Sequence, residues 1–356
     1  MKKFKLKKKI TFFYSDHIEM NTWNNLKKKA EMRGYKTNFS QDLKKKVEIG
    51  FYNHDQNIEN NAKLSIVSLH GMDQGRMSWP NPWKKTRWDL YDYGLLPGKN
   101  WVNLWKSSSN FKNANPKNGV YEVGWPKADN INSKDFLIAT KKIKKKLNPS
   151  KKTILYAPSF ETDNKQLDIL NIAKELKLNL IVKHWVSKDY KLYSDIYKNT
   201  VKMNRISKKT YKDTFIFNPK SNIFLYLASA DILITDESSV MYEAMLFNVP
   251  TIIPNNWNMR SSNKNKPRKI KPSLDAYSSC SIEDLSNEIL FVLKNKKKVN
   301  RLIEKQKNLH FSYIKNSSNE VLKHLDKIIS GEKVKKNIKR KKISKNFFLK
   351  LLDKIK

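Results

Sequence analysis

A single cysteine, Cys280, is all that the 356 residues carry. No intrachain disulfide and no cysteine-based metal cluster can form, and a reducing compartment fits. Long apolar runs are missing as well: none approaches the ~18 residues of a membrane-spanning helix. Met1–Met20 starts basic, but its apolar part, Ile10–Tyr14, is too short for a secretory signal and meets Asp16. The expectation is a cytoplasmic protein. Internal repeats are absent, no metal-ligating cluster is evident, and no cofactor is expected. Acidic residues are scarce: 33 Asp+Glu against 72 Lys+Arg leave a formal net charge of +39. Such a field attracts polyanions, whether nucleic acid, anionic lipid or phosphorylated substrates. The excess is nearly all lysine, alongside much asparagine, so charge alone does not choose among them. The basic residues are spread along the chain without an RNA- or DNA-binding signature, which argues against nucleic acid as the partner.

What is present centres on residues 230–254, ADILITDESSVMYEAMLFNVPTIIP. Asp231–Thr235 has the length and β-branched content of a buried parallel strand. Asp236-Glu237-Ser238-Ser239 breaks it, Val240–Phe247 favours helix, and Thr251–Ile253 begins another strand. A strand, a hydroxyl-bearing loop and a helix N-terminus make an anion site, because first-turn N–H groups are unpaired and the macrodipole is positive there. An ordinary N-cap explains the same residues equally well.

Along the chain, Ile10–Ser15, Gly34–Phe39, Val47–Tyr52 and Leu64–Leu69 read as strands and Glu19–Arg33 as a helix. The fourth strand runs into His70-Gly71, a position where α/β enzymes place a base, although a lone histidine is more often a core or capping residue. Trp79, Trp83, Trp88, Trp101 and Trp105 interleave with Lys84, Lys85 and Arg87, which suits base stacking, sugar binding, a lipid headgroup layer or a loop over a core. Gly94–Gly98 looks turn-rich. Gly124-Trp-Pro126-Lys127-Ala-Asp129 ends a strand in a tight turn. Phe136–Leu147 reads as a lysine-rich helix and Asn148–Lys152 as a linker. A second α/β series follows: strand Thr153–Ala157 ending at Pro158-Ser159, helix Leu167–Leu176, strand Leu178–Lys183 ending at His184, strand Thr214–Phe217 and helix Asn222–Leu227. A helix through Leu293 and one or two helices over Val299–Ile329 complete it. The predicted fold class is α/β, with two Rossmann-like domains facing each other across a cleft and C-terminal helices. The expected domains are 1–147, 148–330 and a tail, 331–356.

Lys333–Lys356 carries eleven Lys/Arg and one Asp. Ile343, Phe347, Phe348, Leu351, Leu352 and Ile355 fall on one face at helical spacing. That pattern predicts a helix lying on an anionic membrane surface, hence a peripheral location on the inner face of the membrane.

In order, His70-Gly71, Gly124-x-Pro126-Lys127-x-Asp129, Ile154-Leu-Tyr-Ala-Pro158, Lys183-His184, Asp231-Ile-Leu-Ile-Thr-Asp236-x-Ser238-Ser239 and Pro250 resemble the CDP-glycerol glycerophosphotransferase family, which primes or polymerises teichoic acids. The resemblance spans roughly residues 64–254. It implies a GT-B fold with nucleotide donor in the C-terminal half and acceptor in the N-terminal half. It implies His70 as base, and His184, Ser238 and Ser239 on the donor phosphates. His70 and His184 are thereby the catalytic candidates; Lys183, Asp236, Ser238, Ser239, Glu243, Pro158, Ser159, Gly124 and Lys127 are the substrate-binding ones. The implied reaction moves a polyol phosphate, glycerol phosphate foremost, from a CDP-linked donor to a hydroxyl of a lipid-linked acceptor and releases CMP. The alternative is a GT-B glycosyltransferase using a nucleotide sugar for capsule or surface glycan synthesis. Four departures stand out, one being that no Lys closely follows His70-Gly71, Arg76 being the first basic residue. Glu237 replaces the family's usual Tyr, Ser159-Phe160-Glu161 replaces Thr-Trp-Arg, and Lys127 replaces Arg.

Overall fold

The computed structural model describes residues 6–53, 61–69, 86–272, 275–332 and 338. His70, Trp79, Trp83 and, apart from Ile338, the predicted tail helix lie outside the described residues. The chain divides into two compact units, one comprising the described residues up to 129 together with those from 309 onward, the other 130–308.

The first unit is built on a six-stranded, wholly parallel sheet. Its strands are β1 (Lys9–Phe13), β2 (Lys36–Ser40), β3 (Val47–Asn53), β4 (Ala62–Ser68), β5 (Tyr93–Leu96) and β6 (Val120–Glu122), in spatial order β2-β1-β3-β4-β5-β6. Helices α1 (His17–Met32) and α2 (Lys99–Ser108) accompany them. Gly94 lies inside β5 rather than in a turn, and its bare Cα lets Trp88 approach within 2.6 Å of where a Cβ would be. Trp88, Trp101 and Trp105 are buried, so these three tryptophans belong to the core and not to a stacking surface.

The second unit repeats the plan with β7 (Thr153–Tyr156), β8 (Asn179–Val182), β9 (Thr214–Ile216), β10 (Ile232–Ile234), β11 (Thr251–Pro254) and the late β14 (Ser278–Cys280), all parallel. A two-stranded hairpin, β12 (Asn258–Met259) and β13 (Arg268–Lys269), precedes β14. Read β9-β8-β7-β10-β11-β14, the order is that of the doubly wound dinucleotide-binding sheet, with its switch point between β7 and β10. Every residue of β7, β8, β10 and β11 is buried, which is why these strands read as unbroken apolar runs. Helices α3 (Lys134–Lys144), α4 (Lys165–Glu175), α5 (Ser194–Thr210), α6 (Ile223–Leu227), α7 (Val240–Met245), α8 (Leu285–Lys294) and α9 (Lys296–His310) fill out the series. α7 stops two residues short of the predicted Phe247, because Asn248 turns into the left-handed region at φ 55°.

The division differs from the expected boundary at 147/148. Ser133 caps α3, accepting from the Phe136 amide at 3.2 Å. The Phe136 ring then stacks on Phe247 at 5.9 Å, placing α3 with the second unit. The last helix, α10 (Ser317–Ser330), goes the other way. Val321, Leu322 and Leu325 join the core of Phe12, Trp23 and Phe51 in the first unit. Gly124, at φ 81°, permits this return: a Cβ there would meet the Ser312 carbonyl at 2.3 Å. Asp129 accepts the Ser317 and Ser318 amides at 2.9 and 2.6 Å, capping α10. Leu322→Ala is therefore expected to destabilise the first unit by about 2–5 kcal/mol, the usual cost of a buried leucine, measured by denaturant unfolding.

Candidate active site

The switch point of the second sheet is stitched shut by backbone and side chain together. Ala157 N donates to the Ile234 carbonyl at 3.2 Å, and Thr235 Oγ1 donates back to the Ala157 carbonyl at 2.7 Å. The next residue, Asp236, is wholly buried. Its carboxylate accepts from the amides of Ser159 (2.7 Å) and Phe160 (3.4 Å) and from Lys165 Nζ at 3.2 Å. Lys165, the first residue of α4, is equally buried and lies over the Trp257 ring at 5.5 Å. Asp236 thus clamps the loop after β7 to the loop after β10; its oxygens point at protein donors.

Glu237 is spoken for as well. Arg268 on β13 grips it in a two-pronged pair, both N–O distances 2.7 Å, and the Lys271 amide adds a third bond at 2.6 Å. Ser238 and Ser239 remain half-buried. Ser238 Oγ accepts from the Val240 amide at a long 3.4 Å, and Ser239, at the N-cap of α7, makes no side-chain cap bond. The Ser239 hydroxyl is therefore not consumed by capping. Glu243 is buried within α7.

Beside this loop lies a buried polar network. Tyr156 Oη donates to Glu161 Oε2 at 2.7 Å, and the Gln166 amide donates to Oε1 at 3.2 Å. Burial outweighs these bonds and the Lys165 charge, lifting the Glu161 carboxyl to about 7. His184 is buried at the end of β8 with Nε2 2.9 Å from Gln166 Oε1. Burial first, then the charges of Lys183 and Lys165, hold its pKa down to about 3, so the imidazole is neutral at pH 7. Lys183 Nζ donates to the carbonyls of Pro219 (2.5 Å) and His184 (3.2 Å).

The strip 258–271 rims the same strand ends. Besides the Arg268 bond to Glu237, Arg260 Nη2 meets Asp163 at 2.7 Å and Ser262 Oγ donates to Asp195 at 3.0 Å. It carries Arg260, Lys264, Lys266, Arg268, Lys269 and Lys271. Among the described residues no group of three or more His, Cys, Asp or Glu side chains could hold a metal ion.

Pro158, Ser159, Lys183, His184, Asp236, Ser238, Ser239 and Glu243 all belong to the second unit, and of these Ser159 and Asp236 are bonded directly. Gly124 and Lys127 belong to the first, where Gly124 admits the Ser312–Ser317 segment and Lys127 Nζ lies over the Trp125 ring at 5.2 Å. Sequence reasoning passed over Lys165, Gln166 and Arg268. A lysine at the first position of a helix, where the dipole favours acids, was the one available signal for Lys165. Nothing local marks Arg268 among 72 basic residues.

Residues 70–325 match the family model for CDP-glycerol:poly(glycerophosphate) glycerophosphotransferases. The chain belongs to this family. The teichoic acid glycerol-phosphate primase of Bacillus subtilis (strain 168) is 31% identical over 163 residues, which cover 46% of this chain and 39% of the primase's length. A structure of a variant of the wall teichoic acid polymerase TagF superposes with TM-score 0.63 at 14% identity, covering 92% of this chain and 90% of that one; another TagF structure comes from a crystal soaked with CDPG. A putative UDP-N-acetylglucosamine 2-epimerase from Listeria monocytogenes gives TM-score 0.59 at 11% identity, covering 92% and 98%. At these identities the solved structures show the shared fold, an α/β pair of Rossmann-like units of the GT-B type.

The buried acid and the buried histidine have opposite pH signatures. Glu161 holds an extra proton in the folded state between 4.5 and about 7, so its contribution falls as pH rises through that window. His184 takes its extra proton only on unfolding between about 3 and 6.5, so its contribution falls as pH drops below 6.5. Glu161→Gln is expected to gain thermal stability relative to wild type as pH is raised from about 5 to about 8. Parallel melting curves across that range would show that Glu161 keeps no extra proton.

Proposed function

We propose that the protein transfers a polyol phosphate, glycerol phosphate foremost, from a CDP-activated donor to a hydroxyl of a lipid-linked acceptor in the synthesis of a teichoic acid-like polymer. The observation that carries this reading is the family match over residues 70–325; the primase relative and the TagF structure soaked with CDPG agree with it. The geometry supports a phosphate site at the switch point. Asp236 and Glu237 are neutralised by Lys165 and Arg268. Ser238 and Ser239 stand half-open beside them, and beyond the paired Arg260 and Arg268 the 258–271 strip adds four exposed lysines, Lys264, Lys266, Lys269 and Lys271. A diphosphate entering there meets hydroxyl donors and positive charge and no unpaired carboxylate of this loop.

In the step itself, the acceptor oxygen forms a bond to the phosphorus that carries the polyol. The bond from that phosphorus to the bridging oxygen breaks, CMP leaves with the electron pair, and His70 takes the hydroxyl proton. The enzyme would work in the cytoplasm, on the inner face of the membrane, where the basic tail meets anionic lipid and a lipid-linked acceptor is at hand.

Incubation with CDP-glycerol, UDP-sugars and GDP-sugars should release CMP from the first and leave the others intact; release of UDP or GDP instead would make the protein a glycosyltransferase. The double variant Ser238→Ala, Ser239→Ala is expected to weaken donor binding by roughly 1.5–3 kcal/mol per hydrogen bond lost to a charged phosphate. An unchanged calorimetric Kd would reduce the serines to local helix-start residues.

A further inference from the structure

Gln166 is the second residue of α4 and is wholly buried. Its side-chain amide is used completely. Nε2 donates to Ser207 Oγ at 2.8 Å and to Asn204 Oδ1 at 3.2 Å, both on α5. An amide nitrogen has two hydrogens, so both are committed, and Oε1 is left as a pure acceptor. His184 Nε2 lies 2.9 Å from that oxygen. Two acceptors cannot share a hydrogen bond, so Nε2 must carry the hydrogen. A neutral imidazole has one N–H, which leaves Nδ1 with a bare lone pair. Among the described residues Nδ1 has no hydrogen-bond partner.

The surroundings hold this arrangement in place. Glu161 Oε1 accepts the Gln166 backbone amide, anchoring the start of α4. The Tyr156 ring meets the imidazole edge-on, with centroids 5.9 Å apart and planes at 87°. The titratable and charged groups around His184 are Lys183 on its own strand end, Lys165 at the head of α4, Asp236 paired with Lys165, and Glu161 with Tyr156. Two lysine charges and full burial oppose a second proton on the ring.

We infer that Gln166 is a positioning residue that locks His184 as the Nε2–H tautomer, so that Nδ1 receives a substrate hydroxyl. The inference rests on the proposed transferase reaction for the identity of that hydroxyl, which belongs either to the polyol of the donor or to the acceptor. A phosphate oxygen is the wrong partner: it too is an acceptor, and the one N–H of the ring is already given to Gln166. The resemblance implies phosphate binding for this histidine; the tautomer points to hydroxyl recognition instead.

The direct test is nitrogen-15 NMR of the full-length protein with labelled histidine, His184 being assigned by the signal that disappears in His184→Asn. The expected wild-type spectrum shows a protonated Nε2 and a bare Nδ1 that do not titrate between about pH 5 and 8. An Nδ1–H tautomer, or a titration in that range, overturns the inference, and neither outcome depends on knowing the reaction. Gln166→Glu substitutes a carboxylate that stabilises the doubly protonated ring, so His184 should then titrate within that range and turnover should acquire a matching pH dependence. If that variant does not fold, the wild-type spectrum still decides. Calorimetry with CDP and CDP-glycerol on His184→Phe separates the two sources. Lost preference for CDP-glycerol over CDP assigns the hydroxyl to the polyol. Unchanged binding of both, with turnover down about tenfold or more, assigns it to the acceptor. A tenfold loss in affinity for CDP itself would restore the phosphate role and contradict the inference.

Discussion

The candidate site depends on one buried ion pair. Asp236 and Lys165 are both removed from water, 3.2 Å apart, at the point where the second sheet reverses its strand order. Burying two charges is costly unless the geometry is good and the remaining lone pairs are used. Here the carboxylate also takes the amides of Ser159 and Phe160, and the ammonium lies over an indole face. The result is a rigid joint between the loops after β7 and β10. Without it, neither the Ser238-Ser239 pair nor the Glu161–Gln166–His184 network would have a fixed starting point, because Lys165 and Gln166 are adjacent residues of one helix.

That joint also explains how the chain tolerates its departures from the family pattern. Glu161 puts an acid where an arginine is usual, but Tyr156 and the Gln166 amide bond it and burial favours its neutral form. Glu237 puts a second acid into the loop proposed to hold the donor phosphates, and Arg268 answers it from 31 residues away with two bonds. Each introduced negative charge is thus masked locally, and the rim stays positive. The hairpin carrying Arg268 is held against the loop by the same pair, so a charge change in the loop brings a structural strap with it.

Much of this was legible in the sequence, and for physical reasons. Strands β7, β8, β10 and β11 are buried on both faces, so they stand out as apolar runs ending at the motif residues. The proximity of Ser159, His184 and Asp236 followed from those strand ends. Less legible were α2 and α5. α5 pairs a buried stripe of Ile196, Thr200, Met203 and Ser207 with a lysine-rich face, and two of those four buried residues are polar, so the apolar periodicity is faint. The compact units differ from the expected limits because α10 is far from the rest of the first unit in sequence. Val321, Leu322 and Leu325, with Ile328 and Ile329 packed beside them, show where it packs. Charge pairing was the least visible: in a chain with 72 basic residues, Arg268 carries no local mark and Lys165 only its unusual place at a helix start.

The central claim is that the donor's phosphates bind at the strand ends joined by Asp236. A crystal structure of the protein with CDP bound addresses it most directly. The expected result is phosphate density within hydrogen-bond distance of the Ser238 and Ser239 hydroxyls, with the Asp236–Lys165 pair unbroken. Phosphate density placed away from these serines, or a nucleotide whose binding displaces Lys165 from Asp236, would contradict it.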